Sequence, residues 1–166
     1  PPLDDSDLVI RKLATSRQRL VASPALVAGC FSRPLVPADL SALPSLAWDS
    51  DQASHEWCLD GPDGATAIIP HKPRLVTEDM VALRQAALAG IGVGQLPLMV
   101  IPQDLKSGRL VDILPHWAPQ AGIIHAVFPS RRGLLPSVRS LLDFLAAEYL
   151  ALGGVDSEYE SAEETI

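Results

Sequence analysis

The stretch RLVTEDMVALRQAALAGIGVGQLPLMVIPQDLKSGRLVDILP, residues 74–115, sets how the rest of the chain is read. Arg74-Leu75-Val76 reads as the end of a short strand. Thr77 follows as a helix N-cap, since its hydroxyl can accept from a free backbone N–H of the first turn. Glu78 and Asp79 then place negative charge at the positive end of the helix dipole. Met80, Leu83, Ala87 and Leu88 recur at helical spacing and form one apolar stripe. Gly90 suits the left-handed position just past a helix end. Ile91 to Leu96 predicts a short buried strand whose glycines, Gly92 and Gly94, admit close approach to the backbone; Pro97 stops it. Pro102 to Ser107 predicts a short helix or turn closed by Gly108, and Arg109 to Leu114 predicts another strand.

Toward the N-terminus, Asp7 to Leu13 reads as a strand leading into a turn, and Arg19 to Ser23 as a buried strand. Pro24 opens a short helix at its first position, with Ser23 as the cap, and the helix runs to Gly29. Pro37 to Leu40 is a helical turn. Leu43 to Trp48 predicts a strand that leads into a polar loop, Asp49 to His55. Glu56-Trp57-Cys58-Leu59 alternates and meets Asp60-Gly61-Pro62-Asp63-Gly64, a strong turn signal, so residues 56–69 predict a hairpin. Residues 70–73 link it to the stretch above.

Toward the C-terminus, Pro115 to Gly122 is a loop and Ile123 to Phe128 a buried strand. Arg131-Arg132-Gly133 is a turn, with the two arginines on a solvated surface. Pro136 opens the last helix, with Val138, Leu141, Leu142, Leu145 and Tyr149 on one face, and Gly153-Gly154 ends it. Strands alternating with helices give an α/β fold with a substantially parallel sheet.

The chain has 166 residues, enough to bury about two-thirds of its unfolded surface. Its composition, 48% hydrophobic and 20% charged, is that of an ordinary soluble domain. No apolar run approaches membrane-spanning length. A net charge of −7 argues against a grip on phosphate backbones, which needs clustered Lys and Arg. Cys30 and Cys58 stand far apart, outside any C-x-x-C pair, and read as plain thiols in a reducing compartment. Pro1-Pro2-Leu3-Asp4-Asp5 has neither the basic nor the apolar region of a signal peptide, which predicts a cytoplasmic protein. The lack of an initiator Met predicts a piece of a longer one.

The order T-x-D, then A-A-L-A-G-x-G, Leu-Pro, D-L-x-S-G-x-L-V and a following Trp resembles the effector-binding domain of LysR-type transcriptional regulators. Here the matching residues are Thr77, Asp79, Ala86 to Gly90, Gly92, Leu96, Pro97, Asp104, Leu105, Ser107, Gly108, Leu110, Val111 and Trp117. R-L-V-A-S-P-A, residues 19–25, adds to the likeness, although Cys30-Phe31-Ser32-Arg33-Pro34 departs from the family's usual Gly-x-Pro. The resemblance covers nearly all of residues 7–150.

It implies a type 2 periplasmic-binding-protein-like α/β fold with one complete subdomain plus part of the other. Residues 1–23 would be a remnant of subdomain I, with Leu20 to Ser23 as a crossover. Residues 24–122 would be subdomain II. Residues 123–150 would be the second crossover strand and the C-terminal helix of subdomain I, and 151–166 an acidic flexible tail. In a full regulator a helix-turn-helix, a linker helix and the first half of subdomain I come before this region. Without them, exposed apolar surface is expected on residues 1–19 and 129–150, covered by a second copy or a neighbour.

Nothing in the sequence marks catalysis or metal binding. His55, His71, His116 and His125 have no metal-ligand spacing, and His125 reads as a hydrogen-bonded structural residue of its strand. No G-x-S-x-G elbow exists. Gly90 to Gly94 follow a helix and precede a strand, the reverse of a dinucleotide loop. No catalytic residue, metal or cofactor is therefore assigned.

A small-molecule effector is the expected ligand, bound in a cleft by a few polar groups. Two places fit: Trp48, Asp49, Ser50 and Asp51 after the first strand of subdomain II, and Thr77 and Glu78 with the backbone near Gly94 and Gln95. In the family the matching regions face the inter-subdomain cleft. Capping by Thr77 and packing by Trp48 are their structural alternatives. The resemblance further implies self-association, DNA binding only through the preceding domain, and no membrane. Alternatives in other classes are a solute-binding protein of the same fold, told apart by a signal peptide upstream, and an α/β hydrolase or transferase, told apart by a nucleophile or metal constellation.

Overall fold

The computed structural model of the protein describes residues 8–28, 35–48, 54–128 and 135–152 in full, and the backbone alone of 129 and 153–163. The Cys30–Pro34 segment, the loop residues Asp49 to Asp51, and the Arg131-Arg132-Gly133 turn lie outside the described residues. In chain order the elements are β1 (Leu8–Ser16), β2 (Gln18–Ala22), α1 (Pro24–Val27), a 3-10 turn (Pro37–Ala42), β3 (Ser45–Trp48), β4 (His55–Asp60) and β5 (Thr66–His71). There follow β6 (Pro73–Thr77), α2 (Met80–Leu88), β7 (Gly94–Pro97), α3 (Pro102–Lys106), β8 (Val111–Asp112), β9 (Ala118–Pro119), β10 (Gly122–Pro129) and α4 (Pro136–Glu163). They form two compact units, Arg17–Gln120 and Pro1–Ser16 with Ala121–Ile166.

In Arg17–Gln120, β2 is the middle strand of an antiparallel sheet, β7-β2-β8. The unbroken run Leu20-Val21-Ala22 reads as a doubly buried strand, and it is one. Leu20 and Ala22 enter a cluster with Leu40, Trp57, Leu59 and Val93; Val21 enters another with Leu46, Leu83, Ala87 and Leu96. Period-two alternation thus puts one strand into both cores. Arg19, on the same strand, is nine-tenths buried and carries an ion pair to Asp112 of β8, Nε to Oδ2, 3.0 Å. β4 and β5 form the expected hairpin, with β9 on its other edge. Parallel pairing, expected to dominate, is confined among the described residues to β3–β6 and a bridge from Ser45 to Val93. Among the described pairs only β4–β5 is a tight hairpin; the antiparallel pairs β1–β10, β2–β7, β2–β8 and β4–β9 join strands distant in the chain.

The helix after β6 begins later than its first capping residue. Thr77 is still strand, paired with Trp48, so it is not free to cap. Its Oγ1 accepts from the Asp79 N–H at 3.1 Å, turning the chain. Asp79 is the N-cap, its Oδ1 accepting from Val81 N at 2.8 Å and Ala82 N at 3.3 Å. At the other end Gly90 sits at φ +73°, with Gly90 N donating to Ala87 O and Ile91 N to Ala86 O. That closes the helix as its glycine predicts. β7 starts at Gly94 rather than Ile91, and β8 is two residues long rather than six.

Asp104 of α3, wholly buried, holds α2 in place. It accepts from Arg84 Nε at 2.6 Å and Nη2 at 2.9 Å, and from Arg109 Nη2 at 2.5 Å.

The other unit is an antiparallel ribbon, β1 with β10, with α4 against β1 and an exposed Arg11–Asp143 pair at 2.8 Å. β10 is not buried as expected. Ile123 and Val127 stand on the exposed face, and so does His125. Ile10, opposite Val127, is 67% exposed, and Leu141 and Phe144 of α4 are also open. The Gly153-Gly154 pair does not end α4, whose backbone stays helical through Glu163. Two glycines cost about 2 kcal/mol of helix propensity, and the Glu and Ala that follow are strong helix formers.

Candidate functional site

A cavity of about 310 Å³ opens in the Arg17–Gln120 unit, where the end of β3, the open end of the β4–β5 hairpin, the start of α2 and the β2–β7 pair converge. Each element delivers side chains for a local reason. β3 runs out at Trp48, which is 46% exposed, and presents its indole at the mouth. α2 contributes Met80, its first residue. Gln18 and Gln95 come from β2 and β7, and the Gln95 Nε2 donates to Gln18 Oε1 at 2.6 Å.

The hairpin supplies the most chemistry. From Asp60↔Thr66 outward its ladder advances one residue per strand without a bulge, bringing His55 opposite His71. Their ring centroids are 5.9 Å apart. His71 stacks on buried Trp57, centroids 3.9 Å apart and planes within 13°. Its Nδ1 lies 2.8 Å from the Ser45 hydroxyl. Burial, and then the charge on His55, push His71 down from 6.5 to about 4, so its imidazole is neutral at neutral pH. Trp57 and His55 share one face of β4. Glu56 lies between them in the strand and also lines the cavity.

Of the residues singled out in the sequence, Trp48 and Gln95 line this cavity. Thr77 lies beside Trp48 in the β3–β6 ladder and Glu78 follows it, exposed, but neither is in the lining. Gly94 is buried: a Cβ there would meet Leu46 Cδ1 at 3.5 Å and Ala87 Cβ at 3.7 Å, so it belongs to the core. The close backbone approach is at Gly92, where a Cβ would fall 2.9 Å from Pro44 O. Asp49, Ser50 and Asp51 lie outside the described residues. The histidines have no ligand spacing along the chain, and Gln18 and Trp57 carry no site signal in the sequence. The hairpin register, once its turn is placed at 61–65, brings His55 and His71 together.

Among the described residues no group of three or more His, Cys, Asp or Glu side chains could hold a metal ion. None of their helices is long and apolar enough to cross a membrane.

Residues 1–149 match the family model for the LysR substrate binding domain. Among curated proteins the chain is similar to the HTH-type transcriptional regulator PtxR of Pseudomonas aeruginosa, 30% identical over 85% of this chain and 45% of that protein. It is 27% identical to the HTH-type transcriptional activator AaeR of Escherichia coli, over 94% of this chain and 50% of that one. The chain spans about half the length of the curated relatives it matches. Among solved structures it is similar to the regulatory domain of AphB from Vibrio vulnificus, with TM-score 0.68 and 27% identity over 86% of this chain and 70% of that one. The CrgA regulatory domain from Neisseria meningitidis gives TM-score 0.70 and 26% identity, over 90% and 72%. These neighbours have the periplasmic-binding-protein-like α/β fold that the sequence implies. With the matched segment running through both units, the chain belongs to the LysR substrate-binding domain family.

Proposed function

We propose that this chain is the sensing part of a transcriptional regulator and that a small-molecule effector binds in the cavity bounded by Trp48, Trp57, His71 and Gln95. One observation carries the reading: Trp48 and Gln95 both line a concave site with aromatic walls and a few convergent polar groups. Thr77, Glu78, Gly94 and the Asp49-Ser50-Asp51 segment are proposed to act around it, Thr77 by holding the end of β6 against Trp48. The effector works by population shift, since it must bind one arrangement of the sensing domain better than another. DNA reading belongs to another part of the full regulator, in keeping with the net charge of −7 here. Self-association, a cytoplasmic setting and a role in binding rather than catalysis complete the proposal.

A thermal-shift screen of the chain against small organic acids, amino acids and redox-active compounds tests it. Ligands that raise the melting temperature are expected to lose about tenfold or more in affinity in Trp48→Ala and Gln95→Ala, as removal of about 1.4 kcal/mol requires. Hits indifferent to both substitutions would overturn the site. Sequence-specific, salt-sensitive retardation of DNA by this chain alone would overturn the division of labour.

A further inference from the structure

The hairpin gives the cavity two metal-ligating nitrogen donors that the sequence keeps apart. His55 and His71 stand directly opposite in the β4–β5 ladder, which puts them on one face, and their ring centroids are 5.9 Å apart. A histidine nitrogen binds a zinc ion at about 2.0–2.1 Å, and the ring centre lies about 1.1 Å further back, so each centroid stands about 3.2 Å from a shared metal. Two rings on one ion are then about 5.2 Å apart at a tetrahedral angle and about 6.4 Å apart when opposed across it. The observed 5.9 Å falls between these limits. The spacing therefore asks for ring rotation rather than a shift of either strand.

His71 is already held as a metal ligand is held. Its Nδ1 lies 2.8 Å from the hydroxyl of buried Ser45, and its ring is stacked on buried Trp57 with planes within 13°. In the tautomer whose Nδ1–H donates to Ser45, the Nε2 lone pair is left for a metal. Such an outer hydrogen bond fixes the ring's orientation and raises the basicity of the ligating nitrogen. His55, partly exposed at the start of β4, is the ring with freedom to adjust. Two imidazoles do not complete a coordination sphere. Glu56 lines the same cavity, but no group of three such side chains forms among the described residues. The remaining positions open on about 310 Å³ of space, as in sites that keep places for water or a ligand. Imidazole nitrogens without a cage of carboxylates suit zinc, copper or nickel and not magnesium or calcium.

We propose that His55 and His71 form a two-histidine site for a divalent transition metal of the zinc and copper class, with Ser45 as the positioning residue behind His71 and the open positions filled by water or by a donor atom of a bound molecule. This goes beyond effector binding, because the ion is held by the chain with no effector present.

Titrating the full 166-residue chain with zinc chloride, followed by imidazole NMR, tests it, with magnesium chloride as the control. Zinc is expected to shift the ring signals of His55 and His71 together, saturating at one ion per chain, and to leave those of His116 and His125 in place. Magnesium is expected to move none of them. His55→Gln, at the end of its strand, should weaken zinc binding about tenfold or more. Ser45→Ala should weaken it about tenfold by loosening the His71 ring, while His116→Gln leaves it unchanged. His71→Gln should match His55→Gln, and His55→Gln carries the test where the buried variant does not fold. Zinc binding undiminished in His55→Gln, shifts spread equally over all the histidines, or no shift up to millimolar zinc would each overturn the site. None of these results touches the effector reading, whose own test uses no metal.

Discussion

The Arg17–Gln120 unit and the unit formed by Pro1–Ser16 with Ala121–Ile166 both contain strands of Val, Ile and Leu, yet only the first closes over them. In the first, β2 is flanked on both edges and covered on both faces, and its apolar run disappears into two clusters. Among the described residues of the second, a two-stranded ribbon has one helix to pack against, and Ile10 and Val127 lie opposite each other on the open side. An isolated two-stranded ribbon is marginal by itself. Strand composition therefore tells little about burial; the number of layers that neighbouring elements supply decides it.

The contrast can be broken at several points. Asp104→Ala should have a large effect, about 3 kcal/mol in urea unfolding, because it removes the buried carboxylate to which the partly exposed Arg84 and Arg109 guanidinium groups both donate. A loss under about 1 kcal/mol would show that the cluster does not hold α2 to α3. Leu46→Ala should cost about 3 kcal/mol through the cavity it leaves. Leu141→Ala, on the open face of α4, should stay within about 0.5 kcal/mol. Equal costs for the two leucines would erase the difference between the units.

A pH effect comes next. Folding lowers His71 from 6.5 to about 4, so between those values the unfolded chain binds a proton that the folded chain does not. Stability from this group is then fully present above pH 6.5 and falls away as the pH drops toward 4. On the order of 2 kcal/mol is expected once solvent screening of the partly open ring is allowed for. Urea midpoints at several pH values should show it as a slope in the wild-type chain that is reduced in His71→Gln. A smaller effect than that of His71 distinguishes two residues that look alike in sequence. Asp79→Ala should cost about 1 kcal/mol as a lost cap, and Thr77→Ala less, since Thr77 accepts only one turn-forming N–H. The reverse order would move the start of α2 back to where the sequence first suggests it.

That last pair shows why some features were legible and others were not. Gly90, Gly108, the turn signalled by Asp60 to Gly64 and the run Leu20-Val21-Ala22 act locally, through backbone conformation or unbroken apolarity, and each falls where the sequence puts it to within a residue. Thr77 and Asp79 are both good caps; the choice falls to Asp79 because Trp48 pairs with Thr77, a contact 29 residues away in the chain. Gly153-Gly154 is a stop signal by propensity, but propensity yields to the helix formers beyond it. Ile123 and Val127 look like core until the number of covering layers is known. The cavity follows the same rule. Trp48 and Gln95 could be read from their places after the first strand of subdomain II and near the start of the capped helix, regions that the family resemblance puts at a cleft. His55, His71 and Gln18 gain meaning only when the hairpin and the β2–β7 pair bring distant positions side by side.

β2 has one more consequence. Leu20 and Ala22 look one way and Val21 the other, while Leu98 N donates to Arg17 O and Ile113 N to Leu20 O at its flanks. A slip by a single residue would exchange the two sets of side chains and spoil both clusters at once. The lobe accordingly has no loose half: whatever unzips this strand dissolves the floor under the histidines and the helix behind them in the same event.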